Sequence, residues 1–253
     1  MRIGILGGAF NPPHLGHLIL AQEAASQLSL ERVVFMPYGE PSHRMLEDDP
    51  GAEARFTMCE YAVGADARFA VSRLEIDRSG PVYTVDTLRE LVGRAEGSAT
   101  ELFLLLGGDQ AASLESWRAP DQVLSLARIA VAERDEWRRE QVRERLSALG
   151  ALSADRVVFL DMPRIEISSS LVRSRARSGQ PIRYLVPDKV ANYVGAQSLY
   201  GASVRAAQAG AGVGAGVHAA AAGAERPTVV APAGAAATPH ATRARSDATE
   251  ARS

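Results

Sequence analysis

The chain has 253 residues, 46% of them hydrophobic and 23% charged, with a formal net charge of −2. That balance is ordinary for a globular protein in water and leaves no bulk field to attract nucleic acid or an anionic membrane. A lone cysteine, Cys59, excludes a disulfide framework. No run approaches the ~20 apolar residues of a membrane span and no basic leader precedes the first apolar run, so a cytoplasmic location is expected.

Taken in chain order, Arg2–Gly7 predicts a strand and Leu15–Leu28 a helix. Arg32–Pro37 then reads as strand, Glu53–Val63 as helix, Phe69–Leu74 as strand and Val85–Ala95 as helix. The most hydrophobic run, Glu101–Gly107, predicts a strand, followed by helix over Gln122–Ala127, strand over Arg128–Ala132, helix over Arg138–Leu149 and strand over Arg156–Leu160. Runs such as VVFM and LFLLLG are continuous in apolar residues, as strands buried on both faces are. Strand–helix alternation of this kind argues for an α/β fold, a Rossmann-like doubly wound parallel sheet. Right-handed crossovers would carry the strand C-terminal ends to one rim, where open sheets hold ligands. Ser168–Arg177 and Pro187–Val194, separated by the Gly179–Pro181 break, form a helical end piece. Residues 1–200 are expected to fold as one domain. The Ala/Gly-rich remainder, 201–253, has too little to bury against its ordering entropy and is expected to be a disordered tail. Its His218 and His240 stand isolated and are not expected to be ligands.

The first strand runs into GGAFNPPHLGH, Gly7 to His17. Gly7 and Gly8 let a bulky anion approach the main chain closely, and Pro12 and Pro13 forbid helix until about Leu15. Free N–H groups at the start of that helix would form an anion site. His14 and His17, three apart, can face the same way on a first helical turn and donate to phosphate oxygens. Other readings compete: half of a metal site, although no further Cys or His stands nearby; a dinucleotide fold, although the glycines do not spell G-x-G-x-x-G; or simple capping and packing. The placement after the first buried strand favours phosphate.

HLGH resembles the H-x-G-H signature of the nucleotidylyltransferase superfamily, and GGAFNPPHLGHL resembles the opening of bacterial nicotinate-nucleotide adenylyltransferases. Some members carry Asp where Asn11 stands, a difference expected to matter little. The resemblance extends to about Tyr200 and implies ATP contacts from Gly7, Gly8, Ala9, Phe10, His14 and His17. A second segment, ISSSLVR, would by itself be a serine cap with a solvent-facing arginine. It is similar to the family's second signature, with Val172 for the commoner isoleucine. The likeness implies that Ser168, Ser169, Ser170 and Arg173 hold ATP phosphates, with His14, His17 and Arg173 as the catalytic set.

Three further segments concern the acceptor. PVYTVDTL offers Thr84 as either a helix cap or a donor to a carboxylate. LGGDQAASLESWR follows the most apolar strand, and the resemblance assigns Gly107 to ATP and Asp109 to ribose hydroxyls. It also gives Trp117 a pyridine ring to stack on and makes the Arg118 N–H a second carboxylate donor. His43 and Arg44 in PSHR resemble a loop that approaches the acceptor's phosphate, and Arg55 and Arg134 are weaker candidates for basic lining. The implied reaction is adenylyl transfer from ATP, with Mg²⁺, to nicotinate mononucleotide. No protein metal ligand, nucleic acid or membrane is involved, and a homo-oligomer is left open. Other acceptors (nicotinamide mononucleotide, phosphopantetheine, cytidylyl chemistry) and a non-catalytic nucleotide sensor are the alternatives.

Overall fold

In the computed structural model the described residues are 1–40, 46–95, 99–133, 136–149 and 156–202. The six strands are β1 (Arg2–Gly8), β2 (Arg32–Pro37), β3 (Phe69–Val71), β4 (Glu101–Gly107), β5 (Arg128–Ala132) and β6 (Val157–Leu160). They form one sheet in the order β3-β2-β1-β4-β5-β6, and every pairing is parallel. β1 is central: Ile5 pairs with Val34 of β2 on one side and Leu104 of β4 on the other. The chain winds outward in both directions from that pair, so the rim above β1 and β4 is the topological switch point of a doubly wound sheet.

Among the described residues, eight α-helices cover the sheet and its end: α1 (Leu15–Gln27), α2 (Ala52–Val63), α3 (Thr84–Arg94), α4 (Gly108–Ala112), α5 (Pro120–Leu126), α6 (Glu136–Ala148), α7 (Ser169–Arg177) and α8 (Asp188–Ala196). The two-residue period of β4 divides the core. Leu102, Leu104 and Leu106 pack with Leu88, Val123 and Leu146 of α3, α5 and α6. Phe103 and Leu105 pack on the opposite face with Leu20, Ala21 and Ala24 of α1. Burying each of these leucines contributes roughly 2 kcal/mol of transfer free energy. A smaller cluster, with Met58, Val172, Val190 and Val194, joins α2, α7 and α8.

The expected alternation is present, with differences that have local causes. β3 stops at Val71, not Leu74, because the Leu74 N–H turns back to the Ser72 hydroxyl at 3.2 Å. α5 begins at Pro120, a residue suited to a first helical position, two residues before the expected start. α4 and the 3₁₀ turn Leu114–Ser116 are too short to leave a periodic trace and were not expected. Among the described residues no helix is long and apolar enough to cross a membrane. The expected tail, with His218 and His240, lies outside the described residues from 203 onward.

Candidate active site

The loop from β1 to α1 is built on buried anchors. Phe10 adopts the left-handed φ of 51°, and its ring is buried against Phe35, with centroids 5.6 Å apart, and meets the edge of His17 at 5.0 Å. Its side chain is therefore core, and only its main chain is free to face a ligand. Arg55 of α2, a weaker candidate for basic lining, has a side chain that is 0% exposed. The guanidinium donates to the carbonyls of Ala9 (3.1 Å), Tyr38 (2.7 Å) and Gly39 (3.0 Å), and to Asp49 at 3.0 Å. It clamps the loop after β1 to the loop after β2. The signal was present in the sequence: Arg55 shares the buried face of α2 with Met58, Cys59 and Ala62, an i, i+3, i+4, i+7 stripe in which a charge is out of place.

His14 caps α1, and its N–H donates to Nδ1 of His17 at 3.1 Å. That bond makes His17 Nδ1 an acceptor and puts the proton of the neutral ring on Nε2, ready to be donated outward. The two imidazoles stack with centroids 3.8 Å apart. Gly16 makes the stack possible, since a Cβ there would lie 3.0 Å from His14 Nδ1 and 3.3 Å from Ile165 Cγ2. Burial lowers the His14 pKa to about 4. Burial, and then the charge of His14, holds His17 well below the ordinary imidazole value. His14 Nδ1 is buried with no hydrogen-bond partner among the described residues, a costly arrangement of the kind found where a ligand is to be met.

The two sequence signatures are tied together in space. Ser168 caps α7, its hydroxyl accepting from the Leu171 N–H at 3.2 Å. Ser169 donates to the Pro12 carbonyl at 2.8 Å, and Arg173 Nη1 donates to the Asn11 carbonyl at 3.0 Å. Arg173 is 9% exposed, with Nη2 3.4 Å from the Ser170 hydroxyl and 3.5 Å from Glu47, and Nε 3.6 Å from Asp48. The acidic pair was not anticipated. Asn11 also matters more than expected: its Nδ2 donates to the Glu47 carbonyl at 2.9 Å, which an aspartate could not do.

A cavity of about 690 Å³ opens beside the switch point, lined by Gly7, Gly8, Thr84, Trp117 and Arg118 among others. Thr84 is the first residue of α3, after Tyr83 at the cap position, and Trp117 is half-buried. The Arg118 guanidinium lies 4.5 Å from the centre of the Tyr83 ring and 3.8 Å from Asp86. Glu75, absent from the sequence reading, also faces the cavity. It is buried, accepts from the Thr87 hydroxyl at 2.7 Å, and has its pKa raised by that burial. Gly107 ends β4, and Asp109 stands exposed in the first turn of α4, next to the lining residue Gln110. His14, His17, Asp109 and Arg173 do not line the cavity itself. His43, Arg44 and Arg134 lie outside the described residues.

The arrangement thus has a histidine pair on the opening loop, a serine–arginine helix end bonded to that loop, and a cavity beside the loop's first residues, Gly7 and Gly8. The profile of the cytidylyltransferase-like family matches residues 5–175. A probable nicotinate-nucleotide adenylyltransferase of Acidothermus cellulolyticus is 41% identical over 204 residues, covering 79% of this chain and 94% of that protein. The chain belongs to the nicotinate-nucleotide adenylyltransferase family. Another relative, from Tropheryma whipplei, is 40% identical over 77% of this chain and 97% of its own length. Among solved structures, the nicotinic acid mononucleotide adenylyltransferase of Plasmodium falciparum complexed with NaAD shares the fold. It has a TM-score of 0.62 at 15% identity and covers 80% of this chain and 98% of that one.

Proposed function

We propose that this member of the nicotinate-nucleotide adenylyltransferase family transfers the adenylyl group of ATP to nicotinate mononucleotide, forming deamido-NAD and pyrophosphate in NAD biosynthesis. A phosphate oxygen of the acceptor attacks the α-phosphorus of ATP. The bond from that phosphorus to the bridging oxygen breaks, and pyrophosphate leaves with the electron pair. No side chain need act as nucleophile, so catalysis rests on alignment and on stabilising charge.

Gly7, Gly8 and the main chain of Ala9 and Phe10 cradle the nucleotide, with Gly107 and Asp109 on its sugar side. His17 donates from Nε2 to the triphosphate, and a bound polyanion raises both histidine pKa values, so the pair takes up proton as charge gathers. Ser168, Ser169, Ser170 and Arg173 hold the phosphates from the α7 side, Arg173 exchanging its carboxylate partners for phosphate oxygens. Thr84 and the Arg118 N–H receive the nicotinate carboxylate, and Trp117 stacks on the ring, while His43 and Arg44 meet the acceptor's phosphate. Among the described residues no three His, Cys, Asp or Glu side chains converge. A Mg²⁺ ion would arrive with ATP, held on phosphate oxygens and water, and would supply charge neutralisation when bound. Residues 1–200 form the catalytic unit. A cytoplasmic location is part of the reading, in keeping with a single, buried cysteine.

The observation that carries the acceptor assignment is the cavity at the switch point with Thr84, Trp117 and Arg118 in its wall. Thr84→Ala and Trp117→Ala should each raise KM for nicotinate mononucleotide about tenfold or more while leaving KM for ATP nearly unchanged. A rise confined to the ATP KM would refute the assignment.

A further inference from the structure

The described chain ends against the opening loop. In the 3₁₀ turn Leu199–Gly201, Tyr200 has φ 60° and ψ 20°. Ser198 (φ 50°) and Gly201 (φ 75°) on either side are also left-handed. Two side-chain-bearing residues so close together in that region are sterically unfavourable and persist only where their surroundings over-determine them. What determines Tyr200 is burial of its ring in the cluster with Met58, Val172 and Val190, and a hydroxyl that donates to Asn11 Oδ1 at 2.8 Å across 189 residues of chain.

Asn11 is the point on which the loop turns. Its side-chain oxygen accepts from Tyr200, its Nδ2 donates to the Glu47 carbonyl at 2.9 Å, and its own carbonyl accepts from Arg173 at 3.0 Å. The C-terminal turn, the segment before α2 and helix α7 are thereby joined at one residue. Pro12 and Pro13, each with a ring-fixed φ, are all that separates Asn11 from His14. A displacement of Asn11 is therefore passed to the histidine stack with little freedom to absorb it. Burial also pushes the Tyr200 phenol up, so its proton stays in place throughout the working pH range.

We propose that Tyr200 is a positioning residue for adenylyl transfer: its hydroxyl, acting through Asn11, sets where the opening loop holds His14 and His17. Neither Tyr200 nor Asn11 lines the acceptor cavity, so the effect belongs to turnover and not to acceptor binding. The inference rests on the adenylyl-transfer reading given above.

The test uses the full chain and the variant Tyr200→Phe, which keeps the ring and its packing and removes only the donor. With ATP, Mg²⁺ and nicotinate mononucleotide, kcat is expected to fall about tenfold with KM for the mononucleotide within about twofold of wild type, as slight misplacement of aligned groups does. Asn11→Ala should also be slow, and the double variant should be no slower than Asn11→Ala alone, because both changes break one connection. An unchanged kcat in Tyr200→Phe, even with a lowered thermal midpoint, would overturn the proposal and leave the adenylyl-transfer reading standing. Losses that multiply in the double variant would overturn it as well. A wild-type chain that releases no pyrophosphate would overturn both.

Discussion

At the scale of single residues the candidate site holds two imidazoles that are neutral in the free protein. With centroids 3.8 Å apart and both pKa values lowered by burial, the free protein resists charging either ring. A histidine whose folded pKa lies below its unfolded value excludes a proton that the unfolded chain accepts. Its stabilising effect is complete above the ordinary value of 6.5 and is lost as pH falls toward about 4. From pH 7 to 5, His14 alone should thus remove roughly 2 kcal/mol, at about 1.4 kcal/mol per pH unit, and His17 acts in the same direction. Glu75, raised by burial, acts oppositely as it takes up its proton. Denaturant unfolding at the two pH values would measure the slope, and His14→Asn should flatten it by that amount; an equal slope in the variant would contradict the assignment. For turnover, His17→Ala should lower kcat by about 10²–10³, with a much smaller change in KM for the acceptor. Steady-state kinetics showing equal losses in both would count against a transition-state role. Thr84 and Trp117 were singled out largely through the family resemblance, and both stand in the wall of the cavity. The Asn11 connections and Glu75 were not legible in sequence, since their partners come from 12 to 189 residues away and nothing in local spacing announces them.

Among the elements, those whose bounds match the sequence reading are strands with buried interiors. β2, β4 and β5 coincide with their expected bounds because both faces of each are covered and the apolar run ends where the cover ends. Short pieces such as α4 were missed because five residues give less than two helical turns and no period. The joining of the opening loop to α7 was expected only through resemblance; physically it consists of Ser169 to Pro12 and Arg173 to Asn11. Gly16 shows how tightly the first turn of α1 is packed. Gly16→Ala brings a methyl to 3.0 Å from His14 and 3.3 Å from Ile165, so the imidazoles must part or α7's leading segment must shift. A loss in kcat of about tenfold or more is expected, while far-UV circular dichroism stays that of the wild type, as alanine favours helix. Wild-type kcat in this variant would show that the stack is not needed for turnover.

For the molecule as a whole, the sheet order puts β1 and β4 side by side, and the segments following them supply the opening loop and the loop bearing Trp117. Tyr200 ties the C-terminal end of the described residues to Asn11 of the opening loop, which makes the proposed domain boundary testable. A chain ending at Ala202 should keep its kcat within about twofold, whereas one ending at Ser198 should lose most of it along with the buried tyrosine; the opposite order, read by pyrophosphate release, would place the boundary elsewhere. The acceptor that this site serves is what most defines the proposed reaction. The most direct test is to supply ATP and Mg²⁺ with either nicotinate or nicotinamide mononucleotide and to measure pyrophosphate together with the dinucleotide formed. The expected result is deamido-NAD and pyrophosphate in equal amounts, at a higher kcat/KM for the nicotinate form. No release with nicotinate mononucleotide, or equal or faster turnover of the nicotinamide form, would contradict the account.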